Sequence, residues 1–144
     1  MKSLLSPPFI ELFLQKLEAK ALFLDFFNLP FMKAEIKNLI DRGTYRKLPL
    51  FEGELPEDSY AQIVEVKPGQ TVKKHYHLHQ YELFYIMSGE ARLGIGETEY
   101  LAKPGDIFLV KPKTVHWVIN EKDKPFRLFV VKLNYRGDDS VWLD

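Results

Sequence analysis

The chain has 144 residues, 46% hydrophobic and 28% charged, which suits one globular domain and excludes wholesale disorder. Twenty basic residues balance twenty acidic ones, so the electrostatic footprint of a nucleic-acid binder is missing. The absence of cysteine excludes a disulfide scaffold, a thiolate zinc site, an iron–sulfur cluster and a cysteine nucleophile.

The first forty residues read as helical. Ser6 suits an N-cap and Pro7 the first helical position. Ile10, Phe13, Leu14, Leu17, Ala21, Leu24 and Phe27 recur at the three-and-four spacing of one helix face, and Leu29-Pro30 ends the run. A second, shorter helix is predicted over Phe31–Asp41, with Gly43 just past its end. From Ala21 onward the apolar residues nearly encircle the first helix, which predicts burial on several sides. Covering the main domain, or contact within a homodimer, fits better than a membrane-surface anchor, because the polar face is not rich in Lys and Arg. Pro7, Pro8 and Glu11 interrupt any signal-type apolar segment. No apolar run approaches the ~20 residues of a membrane span. The expectation is a soluble, cytoplasmic protein with no membrane partner and no nucleic-acid partner.

From Thr44 the signals turn to β. Runs rich in Val, Ile, Tyr and Phe alternate with turn residues, as in a sandwich or barrel. Strands are predicted at Tyr60–Val66, Val72–His77, Glu82–Met87, Ala91–Ile95, Glu99–Leu101, Ile107–Val110, His116–Ile119 and Phe126–Leu133. Lys67-Pro68-Gly69-Gln70 and Lys103-Pro104-Gly105-Asp106 are near copies, each opening a strand. Eight strands in two similar halves suggest a jelly roll. The chain thus divides into a helical extension, 1–43, and a β domain, 44–144. Gly94-Ile95-Gly96 reads as a hairpin turn rather than a nucleotide loop, since no helix follows it.

The four histidines fall in two places, His75, His77 and His79 in one and His116 in the other. His75 and His77 are two apart, so on a strand both rings point to one face. Glu82, five residues on, joins them only if Leu78–Tyr81 turns or bulges. His116 enters from another strand. Three imidazoles and one carboxylate form a first-row transition-metal site, leaving two positions on a six-coordinate ion. Each residue also has a plainer reading: an incidental His pair, a surface Glu beside a hairpin, a packed interior His. His79 reads as an exposed loop histidine, or as a pocket acid–base group with an ordinary pKa near ~6.5. If the strand continued instead, His75, His77 and His79 would bind zinc on one face. That reading ignores Glu82.

The frame around these residues is Gly69, five residues, His75, one, His77, four, Glu82, six, Gly89; fifteen residues later come Gly105-Asp106, Pro112, His116, three residues and Asn120. Over residues ~55–133 this resembles the cupin superfamily. The first stretch matches every position of that family's first motif, and the second matches its Gly, His and Asn. Lys111 stands where the family has Pro, and Lys113 where it has Gly. The resemblance implies a mainly β fold, the cupin double-stranded β-helix or jelly-roll barrel, here with two N-terminal α-helices. It implies a divalent transition metal (Fe, Mn, Ni, Zn or Cu) held by His75, His77, Glu82 and His116. The tail from Gly137 to Asp144 resembles the end of cupin domains attached to mannose-6-phosphate isomerases; its plainer reading is a strand with Trp142 packed on the barrel.

Two functions follow as expectations. One is a metal-dependent enzyme acting on a small, oxygen-rich substrate, as a dioxygenase, decarboxylase or sugar-phosphate isomerase. The other is a non-catalytic module that senses a small ligand or metal. A homodimer is expected in either case.

Overall fold

Alternating apolar and polar residues after Thr44 become strands in the computed structural model, which describes residues 32–144. Ala34–Asp144 form one unit. In chain order the strands are β1 (Ile40–Asp41), β2 (Arg46–Leu50), β3 (Ser59–Val66), β4 (Thr71–His77), β5 (Tyr81–Ser88), β6 (Ala91–Ile95), β7 (Thr98–Ala102), β8 (Ile107–Val110), β9 (His116–Ile119), β10 (Phe126–Leu133) and β11 (Ser140–Trp142). All pairings are antiparallel. One sheet has the order β1-β2-β3-β10-β5-β8 and the other β11-β4-β9-β6-β7. The chain changes sheet at nearly every connection from β3 onward, with β6–β7 the one hairpin kept within a sheet. This is the jelly roll that the resemblance implied.

The near-copied Pro-Gly segments make two of those crossings. In each, the Lys carbonyl accepts from the backbone N–H three residues on, at 3.0 Å for Gln70 and 3.1 Å for Asp106. Gly69 and Gly105 take φ of +74° and +95°. Pro before a positive-φ Gly is the type II turn, which glycine adopts without steric cost.

Val66, Phe84, Ile86, Leu93, Val110, Val118, Phe126, Leu128 and Val130 form the main core cluster. The second cluster, Leu50, Ala61 and Ile63, draws on the opposite phase of β3 from Val64 and Val66. Strand β3 is therefore buried on both faces. Glu65 is fully buried and bonded to Arg46 and Arg127. On β5 and β8 the residues out of phase with the core, Leu83, Tyr85, Ile107 and Leu109, are exposed and lie opposite one another in register.

The first predicted helix lies outside the described residues. The second is corrected where it is described: residues 32–41 contain no helix, and Ile40–Asp41 pair with Arg46 and Lys47 as β1. Met32, Ile36 and Ile40 have helical spacing, but all three are exposed, so no buried face rewards a helix. Asn38 adopts φ 54°, Gly43 φ +89°, and the Asp41 carboxylate accepts from the Gly43 N–H at 2.7 Å, which turns the chain into a hairpin. No helix among the described residues is long and apolar enough to cross a membrane.

Candidate metal centre

Strand β4 carries two of the four motif side chains. Its pairing with β9 shifts register between Val72 and His75, where Lys73 and Lys74 are both exposed. This bulge lets Val72 and His75, three apart, both face inward. His75 and His77 then share the inner face and are buried. The strand stops at His77, and the segment Leu78–Gln80 turns the chain into the other sheet. Glu82 thus comes from β5, facing the histidines across the barrel. His116 opens β9 and pairs with His75 in register.

The four side chains converge. The nitrogen donors of His75, His77 and His116 lie within 4.8 Å of one another, and all three residues are buried. Glu82 Oε2 stands 3.1 Å from His77 Nε2 and 3.0 Å from His116 Nε2. Atoms bound about 2.1 Å from one metal at right angles are separated by about 3 Å, the same spacing.

Hydrogen bonds orient each ring. His75 Nδ1 lies 2.8 Å from the Lys73 carbonyl, and His116 Nδ1 lies 2.9 Å from the Thr114 carbonyl. A carbonyl only accepts, so in each ring Nδ1 carries the proton and Nε2 keeps a lone pair. His77 Nδ1 lies 3.1 Å from Ser140 Oγ and 3.4 Å from Asp139 Oδ1. Nε2 of His77 and of His116 is buried without a hydrogen-bond partner. The lone pair of His116 Nε2 faces a carboxylate oxygen at hydrogen-bond distance, acceptor against acceptor. A cation between them resolves that conflict, so the residues present fit a divalent metal.

Burial, then the charge of His116, lowers His75 to about 4, keeping it neutral at ordinary pH. Burial raises Glu82, but without a metal a proton on Nε2 of His116 or His77 is donated to its carboxylate, and these hydrogen bonds with the charge of Lys132 outweigh burial and hold the carboxyl well below the usual range.

The C-terminal strand completes the site. In β11, Ser140 pairs with His77 and Trp142 with His75. The Trp142 indole stacks on the His75 ring, with centroids 4.3 Å apart and planes at 26°. Asp139 Oδ2 accepts from the backbone N–H groups of His79 at 2.7 Å and Gln80 at 3.3 Å, which fixes the corner before β5. Trp142 therefore packs on the barrel, as the plainer reading of the tail had it.

The sequence-predicted residues separate into two groups. His75, His77, Glu82 and His116 meet at one point. His79 is exposed in the turn after β4 and does not line the cavity beside them. Gly89 and Asn120 hold loops. A Cβ on Gly89 would collide with the Pro125 carbonyl. The buried Asn120 amide donates to the carbonyls of Val66 at 3.0 Å and Lys124 at 2.8 Å. Gly94 is within β6 rather than in the turn, which Gly96 and Glu97 make. Lys113, where the family has Gly, adopts φ 62°, and its N–H donates to the His77 carbonyl at 2.7 Å.

A cavity of about 90 Å³ adjoins the four side chains, walled by apolar residues of β3, β5 and β10. Gln62 and Lys132 also line it, and sequence reasoning missed both. A signal existed: Lys132 falls in phase with Phe126, Leu128 and Val130 on the inner face of β10.

Residues 62–132 match the family described as the cupin domain. Mannose-1-phosphate guanylyltransferase RfbM of Salmonella typhimurium is 29% identical over 81 residues, 56% of this chain and 17% of the relative. The chain thus spans about a sixth of that relative's length. Among solved structures, a protein with a double-stranded β-helix domain from Klebsiella pneumoniae is 26% identical, with TM-score 0.62, covering 72% of this chain and 88% of its own. KdgF from Halomonas sp. is 17% identical, with TM-score 0.64, covering 77% and 97%. The last likeness concerns the fold alone.

Proposed function

We propose that this chain, a cupin through its domain at residues 62–132, is a metal-dependent enzyme acting on a small, oxygen-rich substrate. The observation that carries the reading is the pair of buried, unpartnered Nε2 atoms of His77 and His116, each aimed at the Glu82 carboxylate. His75, His77, Glu82 and His116 would hold the metal. Bound there, a divalent transition metal (Fe, Mn, Ni, Zn or Cu) supplies Lewis acidity and a template for oxygen ligands. The protein's own part is to hold the Nδ1 protons of His75 and His116 on backbone carbonyls, which leaves their Nε2 lone pairs free, and to keep Glu82 ionised. The apolar cavity walls limit water around the reacting group. Dioxygenation, decarboxylation and sugar-phosphate isomerisation all suit such a centre, and the fold does not choose among them.

A non-catalytic binding module is the second reading. One observation favours it: His79, the acid–base candidate from the sequence, lies outside the cavity. A homodimer belongs to the same proposal. The exposed face of Leu83, Tyr85, Ile107 and Leu109 is the surface a second copy would cover.

Inductively coupled plasma mass spectrometry tests the metal. The untagged native protein should carry about one transition metal per chain, and a His75→Ala/His77→Ala variant none. Oxygen-uptake and isomerisation screens on the loaded protein then separate enzyme from module. Failure of the native protein to take up metal after reconstitution would remove the proposal.

A further inference from the structure

Lys132 is the cation of the cavity. Its side chain is 14% exposed, and Nζ lies 3.5 Å from Glu82 Oε1. The Tyr60 and Tyr135 rings, themselves stacked at 4.8 Å, each stand 5.7 Å from the ammonium. Gln62 faces the same space from β3, opposite Val130 and diagonal to Lys132, within reach of a long side chain. Val64, Val66, Phe84, Leu128 and Val130 complete the wall formed by β3, β5 and β10, and the further polar groups of the lining include the hydroxyls of Tyr45 and Ser140, the latter beside His77.

The charges around the cavity do not cancel once a metal is bound. Among the described residues, Glu82 and Lys132 are the charged groups that line it, and they balance. A divalent ion leaves the site positive, even with the Asp139 carboxylate behind His77 counted. Two cations would then flank one carboxylate in a largely apolar space whose other polar groups are neutral, an arrangement that is costly without an added anion. Resting on the metal-centre reading, we propose that Lys132, with Gln62 beside it, binds an anionic oxygen group of the substrate while another of its oxygens meets the metal. The substrate class is a small oxyanion, a carboxylate or a phosphate, and neutral polyols are poor ligands.

The competing role for Lys132 is counter-ion to Glu82 alone, and binding measurements separate the two. Native protein, Lys132→Gln and Lys132→Arg are loaded with Mn²⁺, dialysed, assayed for metal and titrated calorimetrically with oxalate, inorganic phosphate and glycerol. The expected result is about one metal in all three proteins. Oxalate or phosphate should bind the native protein, at least tenfold more weakly in Lys132→Gln and within a few-fold in Lys132→Arg, with no heat from glycerol. Whichever anion binds identifies the source of the group. Equal anion affinity in native and Lys132→Gln proteins, with metal retained, overturns the inference and leaves the metal centre standing. So does loss of metal in Lys132→Gln alone, which would make Lys132 a counter-ion. A native protein that takes up no metal removes both readings.

Discussion

Gly94→Ala tests how the sheet beside the candidate metal centre is packed. Gly94 lies in β6 directly opposite Trp117 of β9, and Trp117 follows His116. A Cβ at position 94 would fall under 3 Å from the Cε2, Cζ2 and Cη2 atoms of the Trp117 ring. The strand conformation itself tolerates alanine, because Gly94 is absent from the positive-φ glycines. The whole cost therefore comes from moving the indole. Overpacking of this kind costs about 1–3 kcal/mol. The displaced ring also leaves Lys74, whose Nζ sits 4.8 Å from its centroid, a contact worth about 0.5–1 kcal/mol. Alanine's own gain over glycine in a strand offsets the lost Lys74 contact, so the expected net loss is about 1–3 kcal/mol, read as a lower urea midpoint for the metal-free protein. The double variant Gly94→Ala/Trp117→Ala isolates the cause. Without the indole, alanine in a strand is better than glycine by about 0.5–1 kcal/mol, so the sign should reverse. An equal loss from Gly94→Ala with and without Trp117 would refute the argument.

Two further predictions concern the site. Unfolded His75 takes up a proton near pH 6.5, whereas burial delays this in the folded protein to about 4. The metal-free protein is therefore at full stability from this group above pH 6.5 and loses it as pH falls towards 4, by up to about 3 kcal/mol; urea midpoints that stay level from pH 7 to 4.5, or fall equally in His75→Gln, would contradict this. Lys113→Gly should stabilise the fold by up to about 1 kcal/mol, because an L-residue at φ 62° pays a steric penalty that glycine avoids, and a lower urea midpoint would count against that.

The sequence was most informative where two signals coincide. Ala91–Ile95, Ile107–Val110, His116–Ile119 and Phe126–Leu133 have the bounds that alternation and flanking turn residues predicted. Strand β2 was missed because Pro49 lies inside it. The strand tolerates this proline because β1 pairs only with Arg46 and Lys47, leaving the far edge of Pro49 without a ladder to feed. Strand β1 was misread because Gly43, which suits the end of a helix, instead makes the turn between β1 and β2, with its N–H donating to Asp41. The convergence of His75, His77, Glu82 and His116 was legible through the resemblance: the motif frame joins Glu82 to the clustered histidines, and its odd offset from His77 then calls for the turn that residues 78–80 make.

What orients those side chains was not legible, and the reason is physical. The motif specifies which atoms meet, but ring orientation is fixed by contacts remote in sequence. Ser140 reaches His77 across 63 residues, and Trp142 lies on His75 through the same strand pairing. Lys113 shows how such contacts constrain a departure from the family pattern. Its N–H donates to the carbonyl of His77, and it lies beside Thr114, whose carbonyl holds His116 Nδ1. The turn must keep this backbone path whichever residue occupies it. The chain therefore holds a lysine in the left-handed region that glycine would enter freely, and the strain is the cost of keeping two imidazoles aimed at one point.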